Sequence, residues 1–421
     1  MQARNTFCPN PQGVLMKRFL SLSLSCALLL PTLVACSSGS SDTLSATSSP
    51  SSTTAPVKSV EIDPLIKELD FKTVAIEYTK RMIEDYYDTR GGNLSTTPGG
   101  NTAVVWGVGA FAETLTEAYR LAPEDPQIRS AYQKMLDTTI QKYRAELNTR
   151  DGKIIYYNAS AGNSGDYYYD DNEWIALVYL EAYQMLEEKK YLTYAEEILE
   201  LIWHGWDEEE GGIHWKGDHS GPTTCSNGPA IIAYATHYQL TQSETSLTRA
   251  KTIYEWTRSL KNMREGDLYK DSKGNGWKAN YNQGTMIYSG ALLYEITGDT
   301  DYIKHARATV TKSAGGTAFK RQGKSYYDFD NDIENPWMNG WYIRGLMKYF
   351  EVDPSKRTTY LEAAAQVMSV ALSKQGNDGY IPNDFGNTDG SVDMDIVKQA
   401  GIPTLFALLA HWQEIWDGTQ Y

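Results

Sequence analysis

The sequence has no basic cluster, no recognisable metal-ligand pattern and few cysteines. Its 421 residues contain 39 Lys and Arg against 53 Asp and Glu, which gives a formal net charge of -14. Such an acidic chain is not expected to bind nucleic acids or other polyanions. The six histidines form no H-x-x-x-H pair, and neither a G-x-S-x-G motif nor a phosphate loop occurs. These absences argue against zinc hydrolysis, serine hydrolysis and nucleotide chemistry.

One group of acids has the spacing of a calcium loop without its other requirements. Asp328, Asp330 and Asp332 follow the spacing, but the sixth position is Ile333 instead of glycine and the twelfth is Asn339 instead of glutamate. A solvated acidic loop is the preferred interpretation, with calcium binding as the alternative. We predict no metal and no organic cofactor.

The N-terminal segment has the pattern of a bacterial lipoprotein signal. Met16-Lys17-Arg18 precedes an apolar run over 19–34, which is too short and wrongly flanked for a spanning helix. Leu33-Val34-Ala35-Cys36 has the L-x-A-C shape of a lipoprotein cleavage site. We therefore predict a signal peptide over 1–36 with lipidated Cys36; an ordinary secretory signal with a chance cysteine is the alternative.

The rest of the chain divides into a tether and one domain. Residues 37–64 are rich in Ser and Thr and are predicted as a linker, followed by a folded domain over 65–421. The protein is expected at the bacterial cell surface or in the periplasm, anchored to a membrane by lipid. Cleavage leaves Cys36 and Cys225, so neither a disulfide nor a cysteine-based zinc site is expected, and Cys225 is predicted to be a small buried hydrophobic residue.

Apolar residues recur with a helical period almost throughout the domain. In one stretch Ile175, Val178, Tyr179 and Ala182 fall at i, i+3, i+4 and i+7. The pattern predicts no strand-rich domain. The twelve predicted helices lie near 70–87, 104–121, 127–146, 171–187, 191–204, 225–241, 244–262, 281–297, 300–316, 335–350, 355–374 and 393–415.

Short and long connections alternate strictly between these helices. Since consecutive antiparallel helices put successive connections at opposite ends, all long loops lie on one face. We predict an all-α (α/α)6 toroid of six helical hairpins, acting as a monomer, with an open solenoid as the alternative. The long-loop face is the expected functional face. Its loops are rich in Tyr, Trp, Asp and Asn, which suits the apolar ring faces and hydroxyls of a sugar.

Two adjacent acids end one long loop. Asp170 and Asp171 follow three tyrosines at the predicted start of a helix. Asp170 with Glu173 fits a capping box, which is the structural alternative. The catalytic interpretation uses the same adjacency, because neighbouring carboxylates push their pKa values apart and can lie roughly 5 Å apart, as a retaining glycosidase requires.

The same segment resembles a known family. Tyr169-Asp170-Asp171-Asn172-Glu173-Trp174 is similar to the Y-D-D-N-x-W signature of glycoside hydrolase family 76, the bacterial endo-α-1,6-mannanases. Gly205-Trp206-Asp207, Gly211-Gly212-Ile213-His214-Trp215, Tyr281-Asn282-Gln283-Gly284 and the 293–299 hairpin end resemble its G-W-D, G-G-[IG]-x-W, Y-N-Q-G and L-Y-x-L-T-G-D elements. The order is preserved over about 100–350.

The resemblance implies a retaining glycoside hydrolase on the (α/α)6 fold that requires no metal and acts on α-1,6-mannosidic linkages. By position, Asp170 would be the nucleophile and Asp171 the general acid/base. Asp271 lies where the family has a further loop aspartate, but Ser272 follows it instead of the usual Gly. The residues predicted to contact an α-mannan-like oligo- or polysaccharide are Asn172, Trp174, Trp106, Trp206, Asp207, Trp215, Asp271, Tyr281, Asn282, Gln283, Trp337 and Trp341.

One departure from the family affects the predicted substrate contacts. Asn335-Pro336-Trp337-Met338-Asn339-Gly340-Trp341 stands where the mannanases usually read F-K-G-[IV]-F, which suggests a different subsite wall. Three alternatives to the hydrolase stay open at this point: a transglycosylase, a sugar epimerase on the same toroid with paired histidines, and a non-catalytic glycan-binding lipoprotein.

Overall fold

The computed structural model describes residues 69–416 apart from 151, 163–164, 315–318, 322–326, 330–334, 384 and 386–390. The predicted signal peptide, Cys36 and the linker lie outside the described residues. The side chains of Asp328, Asp330 and Asp332, with their calcium-like spacing, are outside the description as well. Among the described residues, no helix combines the length and the apolar character needed to cross a membrane.

The described part of the chain contains twelve α-helices, which confirms the predicted all-α fold class. Each of the twelve predicted helices has its counterpart. The helices are α1 (Phe71–Tyr86), α2 (Val105–Leu121), α3 (Pro126–Lys134), α4 (Tyr169–Leu186), α5 (Lys189–His204), α6 (Thr224–Thr241), α7 (Glu244–Thr257), α8 (Asn280–Thr297), α9 (Thr300–Ala314), α10 (Pro336–Val352), α11 (Arg357–Leu372) and α12 (Ile396–Trp416).

The even-numbered helices form a closed inner ring. Each packs against the next even-numbered helix, and α12 returns to pack against α2. The odd-numbered helices cover the ring from outside, and α1 completes the sixth pair by packing on α12. The sixth hairpin is therefore made from the two ends of the domain. This closure confirms the (α/α)6 toroid and excludes the open solenoid.

The short turns follow from their cap residues. Helices α4, α6 and α8 each end on a residue in the left-handed region, at Glu187 (φ 55°), Gln242 (φ 60°) and Gly298 (φ 71°). A left-handed residue reverses the chain within one position and lets its amide bond the last helical turn. The next helix then starts within two residues, with Ser243 accepting the amide of Ser246 at the start of α7.

Four of the long connections carry two-stranded antiparallel hairpins, which the sequence pattern did not predict. The third helix was predicted over 127–146, but the α-helical part ends at Lys134. A π turn and a 3-10 turn follow it, and then the chain enters a strand. The pairs are β1 (Tyr87–Asp88) with β2 (Asn93–Leu94), β3 (Arg144–Thr149) with β4 (Gly152–Tyr157), β5 (Arg264–Glu265) with β6 (Leu268–Tyr269), and β7 (Phe319–Arg321) with β8 (Tyr327–Phe329).

A buried amide side chain recurs at the fourth residue of five inner helices. Asn172 of α4 accepts from the Tyr157 amide at 2.7 Å and donates to the carbonyl oxygens of Tyr157 (3.1 Å) and Tyr168 (2.7 Å). The same three-bond pattern ties Asn227 to Ile213 and the helix start, and Gln283 to Tyr269 and the helix start. Asn339 and Gln399 are the amide residues at the fourth positions of α10 and α12. In α4, α6 and α8, these amides fasten the long loops to the helix starts.

Candidate active site

A cleft of 540 Å³ opens at the long-loop mouth of the toroid. Five residues of its wall are the second residues of inner helices: Trp106, Asp170, Cys225, Tyr281 and Trp337. At 100° per residue, the second and sixth positions share a face while the fourth points away. The second residue of each of these five helices therefore faces the cleft, and Asp171 and Trp174 of α4 and Met338 of α10 join it there. In α4, α6 and α8 the fourth-position amide faces the loops instead.

Asp170 and Asp171 both line this cleft and do not cap the helix. The N-cap of α4 is Tyr168, which makes no side-chain cap bond, and the two acids are the second and third helical residues. An Asp170 oxygen accepts from the Asp171 amide at 3.0 Å, and the other accepts from the indole Nε1 of Trp215 at 3.2 Å. The alternative interpretation, a capping box of Asp170 with Glu173, is therefore wrong, because Glu173 turns into the core.

The two acids differ in their surroundings. Burial raises the pKa of Asp170 to about 6, and this rise is limited by donors that stabilise its charge: the Cys225 thiol, the Asp171 amide and the Trp215 indole. Burial and then the charge of Asp170 hold the pKa of Asp171 well above its usual range. The pair therefore ionises unequally, with Asp170 carrying the charge and Asp171 the proton.

A third acid lies directly behind the pair. Glu173 is fully buried, and within the described residues neither of its carboxyl oxygens has a hydrogen-bond partner. Burial, followed by the charges of Asp170 and Asp171, holds its pKa well above the usual 4.5. Glu173 therefore keeps its proton to a higher pH than an exposed glutamate does.

Glu173→Gln is expected to stabilise the protein increasingly as pH rises. The folded state keeps the carboxyl protonated while the unfolded chain ionises it above pH 4.5. Each further pH unit therefore lowers the stability of the wild type by about 1.4 kcal/mol relative to the glutamine variant. Urea unfolding of both proteins between pH 4.5 and 7 measures this slope. A difference that is constant with pH contradicts the prediction.

Aromatic side chains dominate the remaining wall. Trp337 packs edge-on against Trp106 (ring centroids 5.6 Å apart) and Trp174 (5.0 Å). Trp215, which is 41% exposed, packs at a tilt against the ring of Tyr168 with the centroids 5.0 Å apart. Of the described residues that line the cleft, three are acids and none is Lys, Arg or His. A neutral ligand with apolar faces and hydroxyl groups fits such a wall.

Asp271 brings a third carboxyl to the cleft from the loop before α8. Its side chain accepts from Asn275 Nδ2 at 3.2 Å, and burial raises its pKa while the amides of Asn275 and Asn282 lower it. Asn282 itself is fully buried behind this carboxyl. Asn282 was predicted to contact the ligand but does not line the cleft.

Six of the predicted glycan-contacting residues line the cleft and six do not. Those in the wall are Trp106, Trp174, Trp215, Asp271, Tyr281 and Trp337. Asn172 and Gln283 are corrected to structural roles, because their amides are used up in holding backbone. Trp341, like Asn282, is buried behind the wall and contacts Trp174 at 4.7 Å.

The Gly205-Trp206-Asp207 segment also lies away from the cleft. Trp206 stacks on Trp203 with ring centroids 5.4 Å apart, and Asp207 accepts the amides of Glu209 (2.8 Å) and Glu210 (2.9 Å). Both side chains serve the loop's own conformation, and neither of them lines the cleft.

Five residues of the cleft wall were not predicted from the sequence, although one of them, Cys225, could have been. Tyr168, Thr223, Cys225, Trp277 and Met338 line the cleft. Cys225 is buried, as predicted, but its thiol faces Asp170 and accepts or donates a hydrogen bond with Thr223 Oγ1 at 3.1 Å. Its place at the second position of α6, equivalent to Asp170 in α4, would have identified it.

Comparisons with known proteins agree with this architecture. The sequence profile of glycosyl hydrolase family 76 matches residues 70–408. A family 76 glycoside hydrolase from a bovine Bacteroides thetaiotaomicron strain superposes with a TM-score of 0.72 at 23% identity, over 82% of this chain and 79% of that one. The family 76 mannosidase of Bacteroides thetaiotaomicron VPI-5482 gives 0.71 at 22% identity, over 83% and 99%.

Two further relatives add different information. An inactive α-1,6-mannanase variant from Salegentibacter sp. HEL1_6, with two consecutive aspartates changed to asparagine and α-1,6-mannotriose bound, gives a TM-score of 0.64 at 20% identity, over 81% of this chain and 99% of that one. The meiotically up-regulated gene 191 protein of Schizosaccharomyces pombe is 25% identical over 173 residues, 39% of this chain. That match spans about a third of the yeast protein, 36% of its length.

Proposed function

The chain belongs to glycosyl hydrolase family 76 and is a glycoside hydrolase, and from this premise we propose that it cleaves α-1,6-mannosidic linkages in mannan-type polysaccharides. The observation that carries the proposal is the unequal acid pair in the cleft, with Asp170 held by three donors and Asp171 beside its charge. The Salegentibacter mannanase variant, inactive with two consecutive aspartates replaced, supports the same pairing.

The proposed reaction is a double displacement. A carboxylate oxygen of Asp170 attacks the anomeric carbon, the bond from that carbon to O6 of the next mannose breaks, and Asp171 gives its proton to O6. Asp171, now ionised, takes a proton from water, whose oxygen attacks the anomeric carbon and releases Asp170. Two inversions return the original configuration, and the catalyst regains its starting charges.

The wall suits this substrate better than the alternatives. Trp106, Trp215 and Trp337 offer apolar ring faces, and the part of the cleft wall that the structure describes contains no cation to bind an anionic sugar. An epimerase would use two histidines as acid and base, but no histidine lies among the described residues that line the cleft. Transfer to an acceptor sugar in place of water uses the same first step, so hydrolysis and transglycosylation differ only in the second displacement.

The test is incubation of the protein from Lys58 onward with linear α-1,6-mannan, followed by sizing of the products. We expect shorter oligosaccharides that retain the α configuration when followed by NMR, with the Asp170→Asn/Asp171→Asn double variant as the inactive control. Products longer than the substrate would indicate transfer. A wild type that binds the mannan and leaves its length unchanged would establish a glycan-binding protein instead.

We also propose that Cys36 carries the lipid that anchors the enzyme to a bacterial membrane at the cell surface or in the periplasm. The L-x-A-C segment and the apolar run before it support this. Cys36→Ser is expected to move the protein from the membrane fraction to the soluble fraction without changing the activity of the domain. A serine variant that stays in the membrane fraction would refute the anchor.

A further inference from the structure

A buried glutamate of the first inner helix joins two tryptophans of the fifth. Glu113, the ninth residue of α2, is 4% exposed. One carboxyl oxygen accepts from Trp337 Nε1 at 3.0 Å and the other from Trp341 Nε1 at 3.2 Å. In the ring, α2 packs against α4 and α12, so α2 and α10 are not neighbours. Glu113 therefore reaches across the interior of the toroid.

Trp337 connects Glu113 to the cleft, because the same indole that donates to Glu113 lines the cleft wall. Its ring lines the cleft and packs against Trp106, Trp174 and, at 6.4 Å, Tyr281. A tilt of this one indole would displace three other cleft residues. The hydrogen bond to Glu113 is the directional contact that fixes its rotation, because ring packing alone tolerates a range of angles.

The same carboxyl lies at a partition between two cavities. Trp337 faces the cleft, while Trp341 faces a second, polar cavity of 210 Å³ that is lined by Arg120, Glu181 and Arg344 further along the inner helices. Glu113 accepts hydrogen bonds from both indoles and therefore connects the two side chains that separate the cavities, which form the floor of the cleft.

The choice of glutamate is explained by the two indoles. Burying a carboxyl at this depth is costly, and burial raises the pKa of Glu113 to about 8 against the opposing charge of Arg344. Glutamine has the same length but only one oxygen, so its amide nitrogen would face the second indole N–H. Only a carboxyl group accepts from both tryptophans at once.

We propose that Glu113 is the positioning residue that holds the floor of the glycan cleft, and that the Trp337 ring which it fixes determines how a mannose ring sits against the acid pair. The proposal rests on the proposed mannanase function for its substrate. The hydrogen bonds and the partition are independent of that function.

The test is the kinetics of Glu113→Gln on α-1,6-mannan oligosaccharides. We expect KM to rise about tenfold and kcat to change less than threefold, since a displaced wall weakens ground-state and transition-state contacts alike. Glu181→Gln is the matched control, because Glu181 faces the second cavity, and it should leave both constants within twofold. An unchanged KM in Glu113→Gln overturns the proposal.

A double-mutant cycle separates positioning from general loosening of the fold. If Glu113 acts through Trp337, adding Glu113→Gln to Trp337→Phe raises KM no further than Trp337→Phe alone. Additive effects overturn the proposal. Where Glu113→Gln does not fold, Trp337→Phe decides alone: an unchanged KM in that variant overturns it.

A further measurement distinguishes a failure of this proposal from a failure of the proposed mannanase function. A wild type inactive on every α-1,6-mannan tested contradicts the proposed function but leaves the contact measurable. The indole N–H resonance of Trp337, assigned by its absence in Trp337→Phe, should then shift in Glu113→Gln. A Trp337 resonance that does not move overturns the role of Glu113.

Discussion

Asp170→Asn is expected to lower kcat on linear α-1,6-mannan by roughly 10⁴-fold or more, because the amide cannot attack the anomeric carbon and no covalent intermediate forms. Binding of the oligosaccharide should change little, since the aromatic wall is untouched. Turnover and calorimetric binding measured on the same preparation separate these two effects.

Asp171→Asn should be impaired in a different way. On mannan it loses the proton donor for O6, at a cost of roughly 10²- to 10⁴-fold. On an aryl mannoside, whose leaving group departs without a proton, the first displacement should be nearly as fast as in the wild type. Azide then replaces water in the second step and gives an α-mannosyl azide, because the configuration is retained.

The matched control for both variants is Asp166→Asn. Asp166 belongs to the same loop, pairs with Lys216 at 3.0 Å and lies outside the cleft. It should retain wild-type turnover. If Asp170→Asn keeps turnover on mannan, or if the aryl substrate rescues Asp170→Asn and not Asp171→Asn, then the assigned roles are wrong.

The pH profile is the second large effect. Activity requires Asp170 ionised and Asp171 protonated, so kcat/KM should rise with pH up to about 6, the pKa of Asp170, and fall where Asp171 loses its proton. Below pH 6 the rate should drop about tenfold for each pH unit. Initial rates on a soluble mannooligosaccharide between pH 3 and 10 measure both limbs.

Single substitutions should move the limbs separately. Trp215→Phe removes an indole donor from Asp170, which raises the pKa of that carboxyl and shifts the acidic limb to higher pH. Asp171→Asn should abolish the alkaline limb and leave the acidic one in place. An acidic limb near the ordinary aspartate value, or one unmoved by Trp215→Phe, would contradict the assignment of Asp170.

The position rule along the inner helices shows why sequence reasoning found only half of the wall. In α4, α6 and α8 the second residue faces the cleft and the fourth faces the loops. An error of one residue in a predicted helix start therefore changes the predicted direction of a side chain by 100°. The start of α4 was predicted at 171 and lies at Tyr169, and that of α12 was predicted at 393 and lies at Ile396. Asn172 was predicted as a sugar contact because it belongs to the Y-D-D-N-x-W segment, and Cys225 was predicted only to be buried.

The composition, the helical period and the alternating loops determined that this chain is a helical repeat protein with one elaborated face, because these features are local or depend on order along the chain. The Y-D-D-N-x-W segment determined the family. Ring closure by α12 on α2, the unequal environments of Asp170 and Asp171, and the reach of Glu113 to Trp337 were decided only by the tertiary structure. Each of the three joins residues far apart in sequence or depends on burial, so none of them can be read from the local sequence pattern.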